Sequence, residues 1–339
     1  MLKLFLFLVF AGYVAIAESS YLQEKFQHAG PGDYIVTAQD NAYSLLLLRS
    51  LHSDILTLEE VSIPSEQVHA KTIDWRKWFS EKAPGHTAWT LYEIDLKQGQ
   101  LFECFSYSKN GWIFLDEQEQ FFAKLLTLPF SPLPDSEKKK IGPPPAPDEK
   151  DHRKLWSPPL IIEGKKISRP AFEVMHTRWP EDTSQLSLCH IDLYFDAART
   201  SFPFPYWIEV KSPHYAFKVQ TIESGHDLVS PMTKEMPRRP PEIIKMTEKS
   251  TSLWTIPLRA PPYHDTLHLF AIDLTSDSRT AIEIPHRLEW QEQKEHVNIC
   301  IQTLDLKKIL HPDHRYQWAI LSDKTPSSYV KSEEIFTWK

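Results

Sequence analysis

The stretch "TSFPFPYWIEVKSPHYAF", residues Thr200 to Phe217, decides how the second half of this chain is read. It sets Phe202, Phe204, Tyr206, Trp207, Tyr215 and Phe217 among Pro203, Pro205 and Pro213. As a strand, it puts Phe202, Phe204, Tyr206, Ile208 and Val210 on one face, and Ser201, Pro203, Pro205, Trp207, Glu209 and Lys211 on the other. After "KSPH" the alternation resumes, with Tyr215, Phe217 and Val219 opposing Ala216, Lys218 and Gln220. The pattern predicts a hairpin with a core-facing apolar side and a mixed side. Pro203 and Pro205 lack their N–H groups on the same edge, so the segment is expected at the rim of a sheet, where that edge needs no partner. The residues left for a ligand are Trp207 on the mixed face and Pro213 and His214 in the turn. An indole beside a turn can stack on a sugar or on an apolar side chain of a partner.

Outward from this hairpin, residues 155–339 are strand-rich. "AFEVMHTRW", "LSLCHIDLYF", "LWTIPLRA", "LHLFAIDL", "HVNICIQTL" and "RYQWAILS" alternate and are broken by turn residues, the signature of a β sandwich. Pro231 to Lys249 is a second Pro-rich stretch, so this region is either one sandwich-like domain or two split near 231–249. Residues 18–130 mix strands and helices. "DYIVTA", "AYSLLLLRSL" and "ILTLEEVSIP" read as strands, with a turn at His52 to Asp54. "TIDWRKWFSEKA" reads as a helix capped by Asp74, with Trp75, Trp78 and Phe79 on one face. A hairpin around Gly99 follows, then a helix in "LDEQEQFFAKLLTL" with Asp116 and Glu119 in a capping-box pattern. The expected order is βββαββα, an α+β domain with an antiparallel sheet. Ser131 to Lys154, rich in proline and lysine, reads as an interdomain linker.

The chain opens with "MLKLFLFLVFAGYVAIA", a basic residue, an apolar run and a small-x-small ending, which predicts a signal peptide over residues 1–17. The run is too short to span a bilayer, so no transmembrane span is expected after cleavage. Asn41, Asn110 and Asn298 are the only asparagines, and none begins a glycosylation sequon. Cys104, Cys189 and Cys300 are too few and too scattered for a disulfide framework; they read as buried thiols on strands, with one disulfide plus one free thiol as the alternative. These features together favour export in a bacterium, periplasmic or secreted. A net charge of −7 gives no basic footprint for nucleic acid. With 9 glycines against 27 prolines there is no phosphate-cradling loop, dinucleotide fingerprint or nucleophile elbow.

Other constellations are weak. "HDTLH", His264 to His268, lies in a strand pattern that holds its histidines too far apart to chelate one ion. His311 and His314 in "HPDH" read as surface residues at a helix end. Cys189 and His190 point to opposite faces of a strand and cannot form a dyad. The acid pairs Glu59 and Glu60, Asp192 and Asp196, and Glu333 and Glu334 read as solvated. The recurring "EIDL", "HIDL", "AIDL" and "TLDL" read as strand ends whose Asp faces water. No metal and no cofactor is expected. The expected role is binding or scaffolding in the cell envelope, toward a protein or glycan, without catalysis. A metal-independent hydrolase with dispersed acids and a carrier of an apolar ligand are the alternatives.

Overall fold

A computed structural model describes residues 20–39, 41–68, 73–113, 121–146, 149–212, 216–233, 236–260, 264, 266–275, 279–291, 296–325 and 329–339. The expected leader, the capping-box pair Asp116 and Glu119, and the turn residues Pro213 and His214 lie outside the described residues.

In chain order the elements begin with α1 (Tyr21–Gln27), β1 (Tyr34–Gln39), β2 (Ala42–His52), β3 (Ile55–Pro64), α2 (Trp75–Ser80), β4 (Ala88–Asp95), β5 (Gln100–Ser106), β6 (Gly111–Trp112) and α3 (Phe121–Leu125). Then come β7 (Ser131–Pro132), β8 (Ile161–Ile162), β9 (Lys165–Lys166), β10 (Phe172–Arg178), β11 (His190–Asp196), β12 (Trp207–Lys211) and β13 (Ala216–Gly225). The rest are β14 (Glu242–Ile243), β15 (Glu248–Lys249), β16 (Leu253–Arg259), β17 (Leu267–Asp273), β18 (Ala281–Glu283), β19 (Arg287–Trp290), β20 (His296–Gln302), α4 (Thr303–Ile309), β21 (Arg315–Ser322) and β22 (Tyr329–Thr337). The protein is mostly antiparallel β with few helices. The first part carries a leading helix and an extra strand that the expected βββαββα order lacks. Helix α1 starts on a capping box, in which the Ser20 side chain and the Gln23 side chain each satisfy the other's backbone N–H.

The chain forms two compact units. The first comprises Met1–Thr87, Ile94–Gln100 and Leu115–Ser230, and the second Ala88–Glu93, Leu101–Phe114 and Pro231–Lys339. In the first, the strands follow the order β3-β2-β1-β13-β12-β11-β10-β7. The four strands β10 to β13, which the sequence places at the start of a C-terminal sandwich, therefore belong to the sheet built on β1 to β3. Alternation says which residues form a strand and which face they share, but not which strand lies alongside.

The same limit corrects the expected edge position of the aromatic hairpin. β12 lies between β11 and β13 and pairs with both. The prolines do not obstruct this, because the strand starts at Trp207, after Pro205. The ladder begins just past them: the Tyr206 N–H donates to the Tyr194 carbonyl at 2.7 Å, and the Thr221 N–H donates to the Tyr206 carbonyl at 3.0 Å. Phe202, Phe204 and Tyr206 are buried as the alternation requires. Phe204 meets the Phe26 ring of α1 edge-on at 5.5 Å.

The Pro/Lys-rich stretch also differs from its reading as a spacer, since both of its flanks lie in the first unit. Ser131 and Pro132 pair with His176 and Met175 of β10, and Lys140 bridges to Leu155. Asp151 is 2.7 Å from Lys140 and 3.0 Å from Arg153. Hydrogen bonds from Arg153 and Lys140 hold its carboxyl well below the usual range. Proline carbonyls still accept hydrogen bonds, so a Pro-rich run can be fastened along its acceptors and its ion pairs.

The second unit stacks two sheets. One has the order β14-β16-β20-β19, with β15 beside β16, and the other the order β18-β17-β21-β22. Ile256 and Leu258 of β16, Val297, Ile299 and Ile301 of β20, Leu269 of β17, and Trp318 and Ile320 of β21 share one core. This is a sandwich of inward-facing alternate residues.

Two predictions follow from these contacts. Gly225 stands opposite the buried Tyr34, and a Cβ there would lie 2.6 Å from Cε1 of the tyrosine ring. Gly225→Ala should cost about 1–3 kcal/mol, as overpacking does. Denaturant unfolding followed by circular dichroism reads this, and an unchanged midpoint would contradict it. In the second unit, His268 lies 3.1 Å from both Glu283 and Asp323, which accept from its two ring nitrogens. The hydrogen bond to Glu283 is the largest of the influences that raise its pKa above 6.5. A raised folded pKa adds stability that is complete below the unfolded value and is lost as pH climbs through the folded one. The second unit should therefore lose stability above about pH 6.5, the unfolded value. His268→Gln should flatten that slope, and an identical slope in the variant would refute the assignment.

Candidate functional site

Strands β10 to β13 run antiparallel side by side, and one period-two set of their side chains faces away from the core. On the inward face Met175, Ile191, Leu193 and Val210 are buried. On the outward face, where Val174, Tyr194 and Glu209 are nevertheless covered, three rows stand in register. They are Val174, Tyr194, Trp207 and Gln220; His176, Asp192, Glu209 and Lys218; and Arg178, His190, Lys211 and Ala216. Successive rows are about 6.6–6.8 Å apart, two residues along each strand.

The middle row is an ion chain. His176 Nδ1–H donates to Asp192 Oδ1 at 2.6 Å. The Lys211 ammonium lies 3.0 Å from Glu209 Oε2 and 3.9 Å from Asp192 Oδ2, and Lys218 lies 3.6 Å from Glu209 Oε1. Glu209 is only 3% exposed, so these two lysines balance a carboxylate that water scarcely reaches. Beside this row, burial and then the charges of Asp192 and Glu209 push the Tyr194 phenol up to about 12, so it stays protonated. His190 projects into solvent in the next row, and its Nδ1 comes within 3.4 Å of His176 Nε2.

The first row has aromatic residues at its centre. Trp207 is half-buried and meets Trp156 edge-on at 5.1 Å, and Trp156 meets Tyr194 at 5.6 Å. Lys139 sits over the Trp156 ring at 4.4 Å, within cation–π range. The Trp207 indole N–H is shielded from solvent and has no acceptor among the described residues.

Of the residues expected to bind a ligand, Trp207 takes this position. Its neighbours Trp156 and Lys139 come from the stretch around the supposed linker and were not anticipated. The acid pairs do not converge. Glu59 is buried against Arg49 at 3.7 Å and Ser230 at 2.9 Å. Glu334 binds Lys249 at 2.8 Å, and Asp192 finds Glu209 across the strands rather than Asp196 along its own. The strand-end aspartates also depart from expectation. Asp95 and Asp273 are buried and accept turn N–H groups from Gln98 and Thr275 at 2.9 and 2.8 Å, while Asp305 lies in α4.

The histidines separate in the same way. His264 is fully buried; its Nε2–H donates to the Arg239 carbonyl at 2.7 Å, which leaves Nδ1 to accept from the Ser322 hydroxyl. His314 donates from Nδ1 to the buried Asp273 at 2.7 Å. His226 lies between Arg199 and Asp33. A guanidinium can only donate, so the ring accepts at Nε2 and donates from Nδ1 to Asp33. Cys104, Cys189 and Cys300 are buried thiols outside any disulfide. Among the described residues no group of three or more His, Cys, Asp or Glu side chains is gathered for a metal, and no helix is long and apolar enough to cross a membrane.

A family model described as "CT021 protein" matches residues 44–168, less than half of the chain. No curated protein matches. Among solved structures, the hypothetical protein CT021 from Chlamydia trachomatis is 24% identical, with a TM-score of 0.47 over 65% of this chain and 100% of that one. A likeness at that score carries no weight for fold or function.

Proposed function

We propose that the chain is an exported, non-catalytic binding protein of the bacterial cell envelope, and that its ligand seats at Trp207 on the outward face of β10 to β13. The leader pattern in residues 1–17 supports export. The observation that carries the ligand site is the Trp207 indole N–H, shielded and without an acceptor among the described residues, beside a half-exposed Trp156. Leaving such a donor unpaired costs about 1–3 kcal/mol. A hydroxyl or carbonyl oxygen of a glycan or peptide relieves that cost once the two indoles rotate to admit it, and the ring faces add stacking area. The carboxylates of the middle row are held in ion pairs, a poor arrangement for the proton transfers of a two-acid hydrolase.

Calorimetric titration of the full chain with soluble peptidoglycan fragments and with short aromatic peptides tests this. Binding should occur with at least one ligand class, weaken by about tenfold or more in Trp207→Ala, as for an interface anchor, and weaken less in Trp207→Phe. Equal affinity in Trp207→Ala, or no binding by either class, would overturn the site. Release of product from a fragment, lost in Asp192→Asn, would replace binding with hydrolysis.

A further inference from the structure

We infer that His176 and His190 form a two-histidine chelate for a borderline divalent transition-metal ion, copper(II) above zinc(II), with Asp192 as the orienting carboxylate. The inference does not rest on the ligand proposed for Trp207. It starts from the tautomer of His176. Asp192 accepts from its Nδ1–H, so Nε2 carries the lone pair and faces Nδ1 of His190. A carboxylate on the far nitrogen is the arrangement that fixes the ring and raises the basicity of a metal-binding histidine.

The spacing is long for a hydrogen bond and within reach of a chelate. His176 Nε2 and His190 Nδ1 are 3.4 Å apart, beyond the usual 2.7–3.2 Å of an N–H donor contact. Two metal–nitrogen bonds of 2.0–2.1 Å separate their nitrogens by about 3.3 Å at a tetrahedral angle and about 2.9 Å at the right angle of a tetragonal copper(II) site, both within a small turn of one ring. The rings are near parallel, 24° apart with centroids at 5.3 Å, so one must turn for both lone pairs to meet at one point. His190 is exposed and can turn, while His176 is held by Asp192.

The surrounding charges permit a cation. Arg178 and Lys211 flank His190 across the strands, but the Arg178 Nε–H donates to the Leu188 carbonyl at 3.4 Å, and Lys211 is drawn to Glu209. Asp192 and Glu209 offset two of the three positive charges of Arg178, Lys211 and Lys218. With only two protein ligands, water completes the coordination, which makes the site exchangeable. Imidazole donors favour copper and zinc, and by the usual order of stability copper binds tighter. Magnesium and calcium prefer oxygen ligands and should not compete.

The test is calorimetry and electron paramagnetic resonance of the full chain with copper(II) sulfate in a weakly coordinating buffer. The wild-type chain should bind one equivalent with hyperfine structure from two nitrogens. His190→Ala, a change at an exposed position, should weaken binding at least tenfold with an unaltered circular dichroism spectrum. Asp192→Asn should weaken it by about 10–100-fold, the usual effect of losing an outer carboxylate. His311→Ala, which alters a second close histidine pair, should leave it unchanged. Wild-type affinity in His190→Ala, loss of the signal in His311→Ala instead, or displacement of copper by equimolar magnesium would each overturn the inference.

Discussion

The pairing of β1 with β13 is the constraint on which the first unit depends. β1 is hydrogen-bonded to β2 on one side and to β13 on the other, so Tyr34 stands between Leu47 and Gly225. Closing so long a loop costs entropy, but that cost grows only with the logarithm of loop length. Tyr34, Ile35 and Val36 offset it by being almost completely buried. Gly225 lets the Tyr34 ring lie directly against the backbone of β13. At the end of this contact, Asp33 holds His226, His226 accepts from Arg199, and Arg199 donates to the Tyr206 hydroxyl at 2.6 Å. The clamp therefore reaches back to the aromatic stretch and fixes the start of β12.

Much of the local structure was legible in the sequence. Asp74 caps α2 by accepting from the Lys77 N–H, and Trp75, Trp78 and Phe79 are buried on one side of that helix. Ser53 and Asp54 take the left-handed backbone of a two-residue hairpin loop between β2 and β3. The alternation of Phe202, Phe204 and Tyr206 gave their burial correctly, although they lie just ahead of the strand. Helix α1 was not read from the sequence although Ser20 and Gln23 have capping-box spacing, because it is short and follows an apolar leader pattern.

What the sequence hid is partnership between strands. Nothing in "YIVTAQ" says that its second neighbour is "AFKVQTIESG", and without that pairing β10 to β13 look like the start of a separate sandwich. The site was hidden for the same reason. His176, Asp192, Glu209 and Lys218 are each ordinary polar residues on the outer side of a strand, and only register sets them in one row. Trp156 was missed because it follows a run of prolines and charges that reads as a spacer. The outward face and the core behind it are products of one alternation, so a shift of register by one residue would bury the ion row and expose Ile191, Leu193 and Val210.

The most direct measurement of the central claim is residue-resolved amide hydrogen exchange across β1. A strand flanked on both sides uses both alternating sets of its N–H groups, whereas an edge strand leaves one set open to solvent. The account predicts slow exchange at both sets of amides over residues 34–38, with protection that falls in step with that of β13 as denaturant is added. Protection of only every second amide, or loss of protection in β13 while β1 and β2 stay protected, would contradict it.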